Sequence, residues 1–335
     1  MKLDWMSYKK DDYIILYASK LAACADMHKY VPQIDLKHEL CRALGLDDDD
    51  DLEEPFETKA EVAQGMLERL PAADQSMIAD AVGKSYASAK DVVATLALVA
   101  ETQVAALTAE VVLAIETKMG LRAPDPSDGT VMVDALRTLD ALEALDGTVA
   151  AKVSAVYATP EDAKAAFDEI VRPKTLAEAR PEVLAAVQTK LFTRHGTEQE
   201  AAIRVRAAAE SRTAIKTCEA FRVSAEPMLT VEGIEVYVGG RHDGMTHTVN
   251  EHGAQVPQIV EIKTRQRRFL GTPLYELVQV HAYMHMYGIR NACIIESYEK
   301  VQRRHEIEFD DALWGAVQSG VAAFLTGVFR SDVAA

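Results

Sequence analysis

The chain has 335 residues, 49% of them hydrophobic, and a net charge of −16, which is enough apolar material for one large core or two moderate ones. Its four cysteines, Cys24, Cys41, Cys218 and Cys293, show no paired spacing, which argues against a disulfide framework and against a zinc or iron–sulfur site. No apolar h-region follows Met1, and the apolar run Val92–Ala100 is too short to span a bilayer, so a soluble, intracellular protein with no leader and no membrane partner is expected.

In chain order, residues 1–12 are polar and expected to be loosely held. Tyr13–Tyr17 is a short β-like run, and a helix is predicted to open at Ser19, a good N-cap residue. Ser19 and Lys20 at that N-terminus form either a phosphate seat or a plain capped surface helix. Asp47–Asp51 is a run of five aspartates that fits a solvated linker, although clustered Asp also binds cations. From Phe56 to Lys190 the chain is rich in Ala, Leu, Val and Glu at helical spacing. Candidate helices are Glu57–Leu70, Ala73–Val82, Ser85–Lys118, Val131–Leu145, Pro160–Ile170 and Leu176–Thr189. This block has no repeat and no catalytic constellation; it offers solvated faces, a partner surface or a lid.

The pattern changes after Gly196. Thr197–Ser211 is predicted as a helix with Thr197 at the N-cap and Glu200 at N3, a capping box. Ala220–Ser224 with Met228–Val231, then Ile234–Gly239, then Pro257–Thr264 read as strands. Pro273–Tyr287 reads as helix, Ala292–Ser297 as strand, and Asp310–Val328 as a last amphipathic helix. Residues 191–335 hold 16 basic and 18 acidic side chains against 20 and 34 in the first 190, so the acidity lies mainly outside this part.

The chemistry concentrates here. Glu261 and Lys263 stand two apart on a strand and therefore project from one face. Asp243 lies at the end of the preceding strand, in Gly240-Arg241-His242-Asp243-Gly244. Two carboxylates and a lysine on a common face are what metal-assisted phosphodiester hydrolysis needs: hard oxygens for Mg²⁺, and positive charge for the scissile phosphate. Taken singly, Asp243 also fits a turn, Lys263 an exposed edge strand, and Glu200 a cap. Arg265, Arg267 and Arg268 form with Lys263 the sharpest basic cluster of the chain, suited to DNA phosphates or to a solvated surface. Gln279 and Tyr283 are i, i+4 on one helix face, as are His281 and His285, whose spacing could clamp zinc but has no third ligand.

Asp243, Glu261-Ile262-Lys263 and Gln279 together resemble the PD-(D/E)XK nuclease superfamily, and within it the YqaJ/lambda-exonuclease-like branch with its relatives in large DNA viruses. Gly196-Thr197-Glu198-Gln199-Glu200 resembles that branch's G-T-x-x-E segment. Tyr17-Ala18-Ser19-Lys20 with His28-Lys29-Tyr30 resembles its opening T-A-S and N-x-Y segments, and His242 stands where the family often has proline. The likeness covers about residues 13–45 and 190–330.

The resemblance implies an α/β fold: a restriction-endonuclease-like core, with a central mixed sheet flanked by helices, and an all-α insertion. Residues 1–48 and 191–335 would form the nuclease domain and 49–190 the acidic helical insertion. It implies a Mg²⁺-dependent deoxyribonuclease, with Mn²⁺ as substitute, acting 5′-to-3′ on double-stranded ends in recombination, repair or viral DNA processing. A superfamily endonuclease and a catalytically silent end-binding scaffold are the alternatives. Asp243, Glu261 and the Ile262 carbonyl would hold the metal. Lys263 would orient water or stabilise the transition state, Gln279 would position it, and Glu200 would be the outer carboxylate. Ser19, Lys20, Arg265, Arg267, Arg268 and Tyr283 would touch DNA. A single-strand annealing protein and further copies of the chain are the implied partners.

Overall fold

The computed structural model describes residues 2–3, 6–9, 13–44, 59–103, 107, 109–123, 147–218, 220–250 and 252–329. The Asp47–Asp51 run and the Val131–Leu145 helix expected from the sequence lie outside them. The chain divides into two compact units, one made of residues 1–56 and 196–335 and the other of 57–195.

Among the described residues, the first unit holds ten strands in two mixed sheets, where the sequence suggested one. In the first sheet, β1 (Lys2–Leu3), β2 (Met6–Lys9), β3 (Tyr13–Tyr17) and β6 (Ile234–Gly240) follow one another, with β4 (Arg222–Val223) and β5 (Leu229–Val231) both paired to β6. The expectation of loosely held residues 1–12 is corrected at residues 2–3 and 6–9, which form β1 and β2. Met6 pairs with Leu16 and is fully buried, and Tyr8 packs against the same core, so two side chains anchor the strand.

In the second sheet the order is β10 (Val301–Glu308), β9 (Asn291–Tyr298), β8 (Gln255–Thr264), β7 (Gly244–Val249). Strand β8 is its centre: Gln258 to Ile262 are all buried, as expected of a strand covered on both faces. Ile259 faces the main core with helix α11 (Leu274–Tyr287), whereas Val260 and Ile262 pack with Ile203 and Ala207 of helix α10 (Pro181–Ser211). By the two-residue period, Glu261 shares the α11 side with Ile259. Strands β8 and β9 are parallel, and α11 is the crossover between them. Gly288, at φ 63°, ends α11 in the left-handed conformation and lets Ile289 N–H reach the Met284 carbonyl at 3.0 Å.

Helix α12 (Asp311–Phe329) starts at Asp310, whose carboxylate accepts from the Ala312 and Leu313 N–H groups. It is long and apolar enough to cross a membrane by length and composition, where the sequence suggested an amphipathic helix. Its Trp314, Val317, Val321, Phe324, Leu325 and Val328 are buried in the main core cluster. Helices α1 (Leu21–Cys24) and α2 (Gln33–Leu44) also belong to this unit.

The second unit is helical: α3 (Lys59–Glu68), α4 (Ala72–Gly83), α5 (Ala89–Glu101), α6 (Ala109–Lys118), α7 (Gly147–Ser154), α8 (Pro160–Val171), α9 (Leu176–Ala179) and the first half of α10. The single helix expected over Ser85–Lys118 is two. The chain leaves helix after Glu101, and Gln103, the polar lapse in the apolar stripe, forms a bridge with Thr175. Capping boxes at Ser88/Asp91 and Thr175/Glu178 fix two of the starts.

Candidate active site

Three local features bring the side chains together. The pairing of β7 with β8 ends at Gly244–Val260. One step further, Asp243 Oδ2 accepts from the Ile262 N–H at 2.6 Å, so a side chain takes over the ladder where the backbone bends away. On β8, Glu261 is only 4% exposed and its Oε1 accepts from Lys263 Nζ at 2.8 Å. On α11, Gln279 Oε1 accepts a second Lys263 hydrogen bond at 2.9 Å. Gln279 Nε2 in turn donates to the Tyr283 hydroxyl at 3.0 Å, and Tyr283 donates to the Arg241 carbonyl at 3.1 Å. The lysine is thus fixed from two sides, and the amide that fixes it is itself oriented.

The electrostatics are those of crowded carboxylates. Burial, and then the neighbouring Asp243 and Glu200, push Glu261 up to about 8 against the opposing pull of Lys263. Burial raises Asp243, opposed by the Ile262 N–H and by Lys263. Burial and then Asp243 raise Glu200, which lies half-buried on α10. Burial works against the charge of Lys263, but the Glu261 carboxylate outweighs it and holds the ammonium above its ordinary range.

The second Glu261 oxygen, Oε2, is buried and has no hydrogen-bond partner in the described residues. An orphaned carboxylate oxygen beside a second carboxylate fits a hard divalent cation, with Asp243 and Glu261 as the side-chain donors. Among the described residues, no group of three or more His, Cys, Asp or Glu side chains is gathered to hold a metal. Glu200 raises Glu261 through its charge.

Several sequence expectations are corrected here. Thr197 and Glu200 do not form a capping box, because α10 runs unbroken from Pro181 to Ser211. Gly196 sits inside that helix, 4.0 Å from Thr264 Cβ by the place a Cβ would occupy, and its small size suits a close helix–strand approach. Arg265 does not reach out to phosphates. It is buried, with Nη1 and Nη2 on Glu276 at 2.6 and 2.7 Å and Nε on Glu296 at 2.5 Å. Tyr283, 3% exposed and engaged at its hydroxyl, is likewise internal and cannot present itself to DNA.

Ser19 is no N-cap: it lies exposed in a 3₁₀ turn, Ala18–Lys20, before the four-residue α1, and no side-chain cap bond is formed. No long helix N-terminus stands at Ser19 to seat a phosphate. Arg267 and Arg268 are exposed on the loop between β8 and α11. His281 is no zinc ligand: Nδ1 meets the Leu277 carbonyl at 2.8 Å and Nε2 accepts from Asp310 N–H at 3.0 Å. His242 is buried against Tyr287, and burial lowers it to about 4, so it serves as a neutral filler.

Two contributors went unread in the sequence. Arg204, one turn after Glu200, donates to Thr217 at 2.9 Å, and its charge lowers both Glu200 and Asp243; its i, i+4 spacing from Glu200 was the available signal. Gly240 is the other. A Cβ there would stand 2.9 Å from Tyr283 Cε1 and 3.3 Å from Ala18 Cβ. Gly240→Ala should push the Tyr283 ring off Gln279, costing about 1–3 kcal/mol by overpacking and lowering kcat more than KM. Thermal melts and steady-state rates check this, and unchanged values in both would show that Tyr283 is free to move.

No family profile and no curated protein matches the chain. Among solved structures it is similar to the alkaline exonuclease LHK-Exo from Laribacter hongkongensis, at 18% identity and a TM-score of 0.32, over 42% of this chain and 71% of that one. A second structure of LHK-Exo, in complex with dAMP, gives 17% identity and a TM-score of 0.32 over 45% of this chain and 78% of that one.

Proposed function

We propose that the chain is a Mg²⁺-dependent deoxyribonuclease, with Mn²⁺ as substitute, that removes nucleotides 5′-to-3′ from double-stranded ends. Glu261 Oε2 carries the assignment: a buried carboxylate oxygen without a hydrogen-bond partner among the described residues, while Oε1 accepts from Lys263, which also donates to Gln279. When bound, the divalent cation would supply positive charge to the two carboxylates and to the scissile phosphate.

The chain's own residues do the rest. Asp243 and Glu261, with the Ile262 carbonyl, would hold the cation. The Ile262 N–H fixes the Asp243 carboxylate through Oδ2 at 2.6 Å. Lys263, about one-fifth exposed, keeps an ammonium at the mouth, where it offsets charge developing on phosphate and orients the attacking water. Gln279 and Tyr283 hold that ammonium in place. The exposed Arg267 and Arg268 would meet the backbone of the DNA. The end preference and the polarity rest on the family resemblance of the motif residues.

The test is product analysis on end-labelled linear duplex and on closed circular DNA, with Mg²⁺ and with EDTA. Release of mononucleotides from 5′ ends, dependent on the cation and absent from closed circles, is expected. Nicking of circles would replace the exonuclease by an endonuclease, and binding of ends without cleavage would replace it by a silent scaffold.

A further inference from the structure

Three aromatic rings meet beside this site, and the catalytic assignment uses none of them. Tyr275 lies on the first turn of α11, four residues before Gln279 and so on the same helix face. The His28 ring is 4.7 Å from it and the Tyr30 ring 6.1 Å, with His28 and Tyr30 6.2 Å apart. His28 is fixed in place, since its Nδ1 accepts from the Tyr30 N–H at 3.2 Å and from the Val31 N–H at 3.0 Å. The proton of the neutral ring is therefore on Nε2, and burial, then the charge of Lys20, keeps the imidazole below its ordinary range. Tyr30 nevertheless leaves 66% of its surface to solvent.

Cations frame the rings. Lys29 Nζ sits 5.4 Å from the Tyr30 ring centre. Lys20 is close enough to act on His28, and both Arg265 and Lys263 act on the Tyr275 phenol, after burial and Glu276. The loop that enters α11 exposes Arg267 and Arg268. A lone surface tyrosine is ordinary. Three converging rings, one locked by backbone N–H groups, with cations around them in a chain of net charge −16, are a different matter.

We propose that His28, Tyr30 and Tyr275 form a stacking platform for a nucleobase of the DNA strand held at the Glu261–Lys263 site. The proposal rests on the nuclease assignment above and adds the recognition of a base to it. Aromatic faces accept any base, so the platform would hold DNA without reading its sequence. Lys20 and Lys29 match the phosphates on either side of a stacked base, and an apolar peptide would gain nothing from them. Because Tyr275 and Gln279 lie one helix turn apart, the base would be within a nucleotide or two of the scissile bond.

The experiment uses full-length protein carrying Lys263→Ala, so that DNA is not consumed, and linear duplexes with 2-aminopurine at successive terminal positions. Quenching of 2-aminopurine is expected at one or two positions. Adding Tyr30→Ala and Tyr275→Ala should remove the quenching and weaken binding about 10-fold or more, while Tyr30→Phe, which keeps the ring, should retain both. In the otherwise wild-type enzyme, the two alanines should raise KM more than they lower kcat. DNA that binds without quenching at any position, or alanine variants that bind like the parent, would overturn the platform and leave the nuclease assignment standing. Quenching by a wild-type protein that cleaves with neither cation would overturn the nuclease assignment instead.

Discussion

Glu261→Gln is expected to abolish Mg²⁺-supported cleavage and, in cation-free buffer, to raise the melting temperature. Both effects have one origin. Burial and the charges of Asp243 and Glu200 make an ionised Glu261 unfavourable in the folded protein, enough to hold its carboxyl up at about 8 despite Lys263. The folded state therefore keeps a proton that the unfolded chain sheds above about 4.3. More protons bound to the folded state means that wild-type stability without cation falls as pH rises from about 4 to 8. The glutamine variant, with nothing to titrate at this position, should lack that decline. It should also lose the stabilisation that added Mg²⁺ gives the wild type, since a ligand that binds only the folded protein raises its apparent stability. Lys263→Ala should still respond to Mg²⁺ in melts but cleave on the order of 10²–10³-fold more slowly, the usual loss of one charge-stabilising group. Full activity in either variant, or a Mg²⁺ response in the melts of Glu261→Gln equal to the wild type's, would end the assignment.

The second large effect concerns stability. Arg265→Met should cost about 3–5 kcal/mol, because it leaves two buried carboxylates without their counter-charge. Glu276 and Glu296 are 4% and 0% exposed at the side chain. Glu296 also accepts from the Leu270 and Gly271 N–H groups, at 2.9 and 3.1 Å, and pairs with His305 Nε2 at 2.8 Å. The network thus ties the loop carrying Arg267 and Arg268 to β9, β10 and the first turn of α11. Replacing Arg265, Glu276 and Glu296 together by apolar residues of similar volume should recover most of the loss. Denaturant unfolding of the single and triple variants measures both. A loss under about 1 kcal/mol for Arg265→Met would mean that water reaches the carboxylates.

What the sequence made legible follows from the range of the forces involved. Glu261 and Lys263 could be placed on one face because the two-residue period of a strand is local. Gln279 could be placed near them only through the family motif, since nothing in residues 264–278 reveals how α11 folds back across β8. The buried fate of Arg265 was hidden for the same reason. Its partner Glu296 sits 31 residues away on a parallel strand, and a basic cluster reads as surface until both of its acids are located. Strands β7 and β10 were missed because Thr246–Thr248 and Gln302–Glu306 are unbroken polar runs without the apolar alternation that marks a strand, and they are held by pairing with β8 and β9. The α10 start at Thr197 failed for a different reason. A capping box is a local preference of about 1 kcal/mol, which the apolar contacts of a continuous helix override.

Strand β3 pairs in parallel with β6, Tyr13 opposite Glu235, so its partner is made roughly 220 residues later. At about 5–20 residues per second, a ribosome takes about 10 to 40 s to deliver it. Through that interval Ile14 and Leu16, fully buried in the finished protein, lack β6 and the core helices that follow it. The 57–195 unit is complete before then and can fold while β3 waits. Such long-range closure slows folding and exposes a sticky strand. Synthesis of this protein is therefore expected to depend on a chaperone that occupies the N-terminal hairpin until residue 240 emerges, and pulse-labelled nascent chains stalled at residue 200 should be captured by it far more than chains stalled beyond 300.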